Sequence, residues 1–221
     1  MHVYDRLERF DDAIGWDEFI MGINLKRRNA LRDVHGHVLE VCGGTGRNLP
    51  YYRPGQVTQL TLSDASRTML DAAREKQLHE YPRLKAEFKN WDSQQLPVAD
   101  NTYDTVVDTF GLCSVPDPVK ALREMERVAK PGAPIILLQH GRSRHGWLNT
   151  ALDKTAEDHA QKWGCWWNRE ITDIVREAGL HVESCDTSLL DTTYLIRARK
   201  PLPAAPCSNR AGSGDTDQRD V

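Results

Sequence analysis

Long apolar runs, paired cysteines and a surplus of one charge are all missing from this chain of 221 residues. The longest uninterrupted apolar stretch, Ala133 to Leu138, is six residues with a proline inside, against the roughly 20 that a membrane helix needs. The five cysteines, Cys42, Cys113, Cys165, Cys185 and Cys207, are odd in number and include no Cys-x-x-Cys pair. That pattern excludes a disulfide scaffold or a zinc ribbon and fits a reducing compartment. Lys and Arg total 29 against 32 Asp and Glu, a formal charge of −3, so nucleic acid is not held here by bulk positive charge. The first twenty residues carry six acids, unlike an organelle presequence, and lack the apolar centre of a secretory signal. The expected address is intracellular, with the cytoplasm as default.

What is present is a repeated alternation. Runs rich in β-branched and apolar residues at Val38 to Cys42, Gln59 to Ser63, Ala86 to Trp91, Tyr103 to Thr109, Pro134 to Gln139, His181 to Asp186 and Thr193 to Arg199 read as seven strands. Helical spacing lies between them. Asp117 is placed to cap a helix with Pro118 at its first position, and Val119, Leu122, Met125 and Val128 share a face until Pro131 and Gly132. Ser66 opens another helix through Met69, Leu70 and Ala73, and a third begins at Asn168, buries Ile171, Ile174, Val175 and Ala178, and ends at Gly179. Alternating strands and helices imply parallel βαβ units and an open α/β sheet with helices on both faces. Only Thr187 to Thr192 separates the last two strands, too little for a parallel crossover, so they should form an antiparallel hairpin. Residues 1–36 read as a helical cap over the carboxyl edge of the sheet, 37–200 as the main domain, and 201–221, with three prolines and no aromatic, as a disordered tail.

The chemistry-bearing residues fall at strand ends. In VLEVCGGTGRNLPYY the first strand contains Glu40 and runs into Gly43, Gly44 and Gly46, a turn that lets backbone approach a ligand at a helix N-terminus. A dinucleotide fingerprint fails because its third glycine position is Leu49, which disfavours a nicotinamide oxidoreductase, and no G-K-[ST] follows to make a Walker loop. Asp64 ends the second strand, where a carboxylate can accept from both hydroxyls of a ribose. Asp92 ends the third, in reach of an exocyclic amine, and Thr109, Phe110 and Gly111 end the fourth.

These segments, LEVCGGTG, LSDAS, NWDSQQLPVADNTYDTVV and VAKPGAPIILL, resemble in order and spacing the class I S-adenosylmethionine-dependent methyltransferases, in their UbiE-like, methyltransferase domain 11 branch. The resemblance spans about residues 37–200. It implies a Rossmann-like sheet of seven strands, mostly parallel with an antiparallel last strand, and S-adenosylmethionine as cofactor. It further implies that Glu40, Cys42, Gly43, Gly44 and Gly46 hold the methionine part and that Asp64 with Ala65 holds the ribose. Trp91, Asp92 and the Ser93 amide would face adenine with Met69 near the ring, and Thr109, Phe110 and Gly111 would line the methyl-transfer side. One departure is Cys42, standing where the family's motif has its first glycine; a positive φ there would strain it. DTFGLCSVPDPVKAL, LLQHGRS and WGCWWN also resemble a fungal mitochondrial methyltransferase family and mammalian thiol methyltransferases. A mitochondrial address follows from that resemblance alone.

The expected function is methyl transfer to a small, apolar or amphipathic molecule; the alternative is a methyltransferase-fold assembly or interaction factor. His140, ending the fifth strand, is placed to serve as a base or as a hydrogen-bond partner of the acceptor. Cys113, without flanking charge, reads as a packing residue. The eight histidines show no H-E-x-x-H or paired spacing with cysteine, so no metal is expected. No nucleic-acid partner is expected, Lys26, Arg27 and Arg28 reading as a solvated helix face compatible with peripheral membrane contact. Trp147, Trp163, Trp166 and Trp167 mark an insertion expected to wall the acceptor pocket.

Overall fold

In the computed structural model, the described residues are 21–203. Their elements run α1 (Ile23–Ala30), β1 (Gly36–Val41), β2 (Val57–Asp64), α2 (Arg67–Glu80), β3 (Ala86–Asn90), β4 (Thr105–Thr109), α3 (Pro118–Val128), β5 (Pro134–His140), α4 (Gly146–Trp163), α5 (Ile171–Ala178), β6 (His181–Ser188) and β7 (Thr193–Arg199). A 3₁₀ turn, Leu49–Tyr51, stands where a longer helix follows β1 in an ideal βαβ unit.

All seven strands form one sheet in the order β3-β2-β1-β4-β5-β7-β6. The pairings β1–β2, β1–β4, β2–β3 and β4–β5 are parallel, while β7 is antiparallel to both β5 and β6. The chain leaves β1 in both directions, toward β2 and toward β4, which opens a crevice at the carboxyl ends of those strands.

Buried strands side by side read as continuous apolar runs because each alternate residue serves a different face. Leu39, Val41, Val106, Ile135, Leu137 and Ile196 point to one core, closed by Leu122, Met125 and Val128 of α3 and Ile171, Val175 and Ala178 of α5. Val38, Leu60, Leu62, Val107, Ile136, Leu138 and Leu195 point to the other, closed by Ala30 of α1 and Leu70 and Ala73 of α2. Helices therefore cover both faces.

One helix is additional to the sequence reading, and two expectations fall mostly outside the described residues. The helical cap expected over residues 1–36 is one of these; within the described part α1 is a short helix opened by Gly22 at φ 67, with Leu25 exposed. The segment between β5 and α5, expected as an insertion, contains an 18-residue helix, α4, ended by Gly164 in the left-handed region. The tail expected over residues 201–221 lies outside the described residues from 204 onward. No helix among the described residues is long and apolar enough to cross a membrane.

Candidate functional site

The crevice holds a cavity of about 420 Å³, within the range of roughly 300–1,000 Å³ usual for small-molecule sites. It is lined from four strand ends: Cys42, Gly43, Gly44 and Thr45 after β1, Asp64 and Ala65 after β2, Asn90 to Gln94 after β3, and Thr109, Phe110 and Gly111 after β4. Arg27, Ser66, Met69 and Ser114 to Pro116 complete the wall, with Arg47 at the turn.

The glycine turn is shaped for close approach. Gly44 sits at φ +54, and a Cβ placed on it would meet no atom within 4 Å, so its face is open to the cavity. Cys42 takes φ 52, the left-handed conformation that its family replacement of glycine called into question, and Phe110 takes φ 58. Left-handed backbone at a side-chain-bearing residue costs roughly 1–2 kcal/mol, so the surrounding packing must hold both in place. Burial pushes the Cys42 thiol well above its ordinary range, which keeps it neutral.

Asp64 is oriented by backbone: Gly44 N donates to Oδ2 at 2.9 Å and Ser66 N to Oδ1 at 2.8 Å. Each carboxylate oxygen has two acceptor sites, so these contacts fix the carboxylate while leaving capacity toward the cavity. Asp92, exposed, accepts from Gln94 N at 2.9 Å and from the Gln94 side chain.

Two residues of the expected cofactor-binding set stand apart from the lining. Gly46 packs beneath it, where a Cβ would fall 2.6 Å from Leu49 Cδ1. Glu40 is buried one layer behind, accepting from Asn48 Nδ2 and Tyr52 Oη, each at 2.8 Å. Burial raises its pKa to about 7, opposed by those two hydrogen bonds and by the Arg27 charge.

Arg27 corrects the reading of its tripeptide as a solvated face. It is 4% exposed and donates through Nη1 to Asn48 Oδ1 at 3.0 Å and Thr109 Oγ1 at 2.8 Å. Its guanidinium lies 5.0 Å from the centroid of the Phe110 ring. Arg27 and Asn48 thus tie Glu40 to the cavity wall, and neither has a local sequence signal because the link spans 21 and 82 positions.

His140 is not among the lining residues. Its Nε2 lies 2.9 Å from Cys165 Sγ, and its ring packs against Phe110 at 5.4 Å. Cys113, buried, is the third member of this group: the ligand-type atoms of Cys113, His140 and Cys165 all lie within 4.8 Å of one another. The absence of paired spacing therefore did not exclude a metal-capable cluster, because the fold assembles one from three separate segments. A hydrogen bond from Cys165 holds the Cys113 thiol well below its usual range, against burial, and His140 assists. Burial opposes the charge on His140, yet the Cys113 partner raises its pKa.

None of the four insertion tryptophans lines the cavity. Trp147 is 67% exposed and Trp166 43%, while Trp167 stacks on His159 and donates to Leu152 O, a brace within its own segment.

An open α/β sheet with a glycine turn, an acid after β2 and a cavity at the switch point defines a nucleotide-type small-molecule fold. The family profile described as "Methyltransferase domain" matches residues 19–185. The chain belongs to that family, a transferase class whose methyl donor is S-adenosylmethionine. It is 32% identical over 211 residues to "Methyltransferase OMS1, mitochondrial" of Saccharomyces cerevisiae, covering 89% of this chain and 45% of that one. The ubiquinone/menaquinone biosynthesis C-methyltransferase UbiE of Pseudoalteromonas translucida is 35% identical over 120 residues, 53% of this chain and 47% of that protein. The chain thus spans about half the length of the curated relatives it matches. In fold it is similar to a SAM-dependent methyltransferase from Aquifex aeolicus, with TM-score 0.63, 21% identity, and coverage of 89% of this chain and 98% of that one.

Proposed function

We propose that the protein moves the sulfonium methyl of S-adenosylmethionine to a small apolar or amphipathic acceptor, with the donor seated in the switch-point cavity. The observation that carries this reading is convergence: residues from the ends of β1, β2, β3 and β4 line a single cavity, and Gly44 leaves its floor open. When bound, the cofactor supplies a methyl group on a positively charged sulfur, transferred by in-line displacement. In this reading Asp64 accepts from the ribose hydroxyls, Asp92 and the Ser93 amide address the adenine edge, and Met69 packs near the ring. Gly43 and Gly44 present backbone to the methionine part, while Thr109, Phe110 and Gly111 border the methyl. Arg27 and Asn48 hold Thr109 in position, and Phe110 keeps water from that end. Orientation and a dry site are the contributions such a transfer needs from protein.

The acceptor class is supported by the resemblance to the UbiE-like branch and by the apolar Phe110, Val115 and Pro116 in the cavity lining. The name of the yeast relative supports a mitochondrial address. The alternative reading, an assembly or interaction factor, predicts weak turnover or none. Calorimetry should show that S-adenosylmethionine and S-adenosylhomocysteine both bind, and that Asp64→Ala weakens each roughly tenfold to a hundredfold, since hydrogen bonds to a charged acceptor are worth about 1.5–3 kcal/mol. Equal affinities for the wild type and the variant would remove Asp64 from the site. Incubation of a metabolite extract with methyl-labelled cofactor then identifies the acceptor, and absence of any labelled product would favour the assembly factor.

A further inference from the structure

The most concentrated group of unassigned chemistry lies behind the cavity wall, where the turn after β4, the end of β5 and the link after α4 meet. We infer that Cys113, His140 and Cys165 form a site for one zinc-class divalent cation. This rests on the cluster alone and is independent of the proposed methyl transfer.

Three observations carry it. The first is spacing. Around a tetrahedral zinc ion with Zn–S of about 2.3 Å and Zn–N of about 2.0–2.1 Å, ligand atoms stand roughly 3.5–3.8 Å apart. The three ligand atoms already lie within 4.8 Å of one another, and His140 Nε2 stands 2.9 Å from Cys165 Sγ. Opening that pair by about 0.6 Å would admit the ion.

The second is donor chemistry. Two sulfurs and one imidazole, with no carboxylate in the group, form a soft set that prefers zinc to magnesium or calcium. The ion takes two thiolates and a neutral imidazole, and the protons carried by Cys113, Cys165 and His140 leave to solvent, so the two thiolates neutralise the dication beside Arg169. Simple packing accounts for burial of Cys113 and Cys165, at 1% and 6% exposed. It gives no reason for two sulfurs and an imidazole from positions 113, 140 and 165 to converge.

The third is that the backbone bearing these ligands is fixed by other contacts. Trp166 N donates to Cys113 O at 2.9 Å, Arg169 Nη1 to Leu112 O at 2.7 Å, and the His159 Nδ1 to Cys165 O contact is also 2.9 Å. Outer contacts of this kind orient ligands in metal sites. Among the described residues the group has three members, which leaves a fourth coordination position for water or an exchangeable ligand. Phe110 and Ser114, which flank the group, line the donor cavity, so the ion would stand directly behind that wall.

The full chain, reduced and stripped by chelator, is titrated anaerobically with Co²⁺. The expected result is one ion per chain, with visible d–d absorption of a tetrahedral site, a near-ultraviolet sulfur-to-metal band, and displacement by Zn²⁺. Cys113→Ser, Cys165→Ser and His140→Asn should each lower affinity by about tenfold or more, while Cys185→Ser, at an exposed cysteine outside the group, should not. Should a variant fail to fold, alkylation of the wild type in mild denaturant that admits reagent to buried thiols provides the same information: Zn²⁺ should slow modification of Cys113 and Cys165 and leave Cys185 as reactive as before. Absence of the sulfur band, retention of binding by Cys113→Ser and Cys165→Ser, no protection by Zn²⁺, or a Cys113–Cys165 disulfide persisting in reductant would each overturn the site.

Discussion

Glu40 is a carboxyl held behind the cavity by Tyr52, Asn48 and, through Asn48, Arg27. Because burial raises its pKa from 4.5 to about 7, the folded chain keeps a proton that the unfolded chain has already released. This contribution to stability is full below about pH 4.5, declines as pH rises toward 7, and is flat above. The whole interval is on the order of 3 kcal/mol at about 1.4 kcal/mol per unit. Glu40→Gln should abolish the decline: between pH 5 and 8, the wild type should lose on the order of 2–3 kcal/mol relative to the variant in urea midpoints. A constant difference across that interval would show that Glu40 does not titrate there. The family resemblance implies that Glu40 holds the methionine part; its side chain lies outside the cavity lining and accepts from Asn48 and Tyr52, a link that residues 8 and 12 positions away supply and that no local motif marks. Cys42, Asp64 and Asp92 were legible because strand ends converge at a switch point whatever the loops do. Arg27 was not, since a basic tripeptide on a helix carries no mark of which member turns inward.

Among the elements, α3 shows how much of a helix can be written locally. Asp117 Oδ1 accepts from Lys120 N at 2.9 Å, Pro118 occupies the first turn, and Ala121, Leu122, Met125 and Val128 are buried. Asp117→Ala should remove one satisfied donor and cost about 1 kcal/mol, lowering Tm by roughly 2–4 °C for a chain of this size, with Asp117→Asn nearly neutral. An unchanged Tm by calorimetry would mean that the Pro118 turn holds without the cap. The seven strands were legible for the same local reason, and β7 matches its sequence bounds. The helix α4 was not, because Ala156 is its one buried residue and no apolar stripe marks its period. Its tryptophans suggested recognition, yet exposure of Trp147 and the Trp167–His159 stack are surface and bracing roles. The Cys113, His140 and Cys165 group was equally hidden, for its spacing is set by tertiary topology rather than by any turn.

At the scale of the whole molecule, the cavity is made by segments that the sheet alone holds together. Arg27 comes from α1, the glycine turn follows β1, Met69 rides on α2, and Ser114 to Pro116 lead into α3. A ligand that touches all of them acts as a cross-link between loops, and loops open at the low end of the local stability range. The β6–β7 hairpin is different: its turn carries Leu189, Leu190 and Asp191 at φ 53, 56 and 60, and β6 is an exposed edge strand. None of its residues lines the cavity. S-adenosylhomocysteine at about 100 times its Kd should add about 2.7 kcal/mol to global stability, and amide exchange should distribute that gain unevenly. Protection should rise at residues 42–47, 64–69, 90–94 and 109–116, the segments that line the cavity. Exchange at 189–192, which lie outside the cavity lining, should stay unchanged. Mass spectrometry of exchange with and without ligand decides the matter. Protection confined to the hairpin would put the donor elsewhere, and uniform protection would mean that the loops do not open locally.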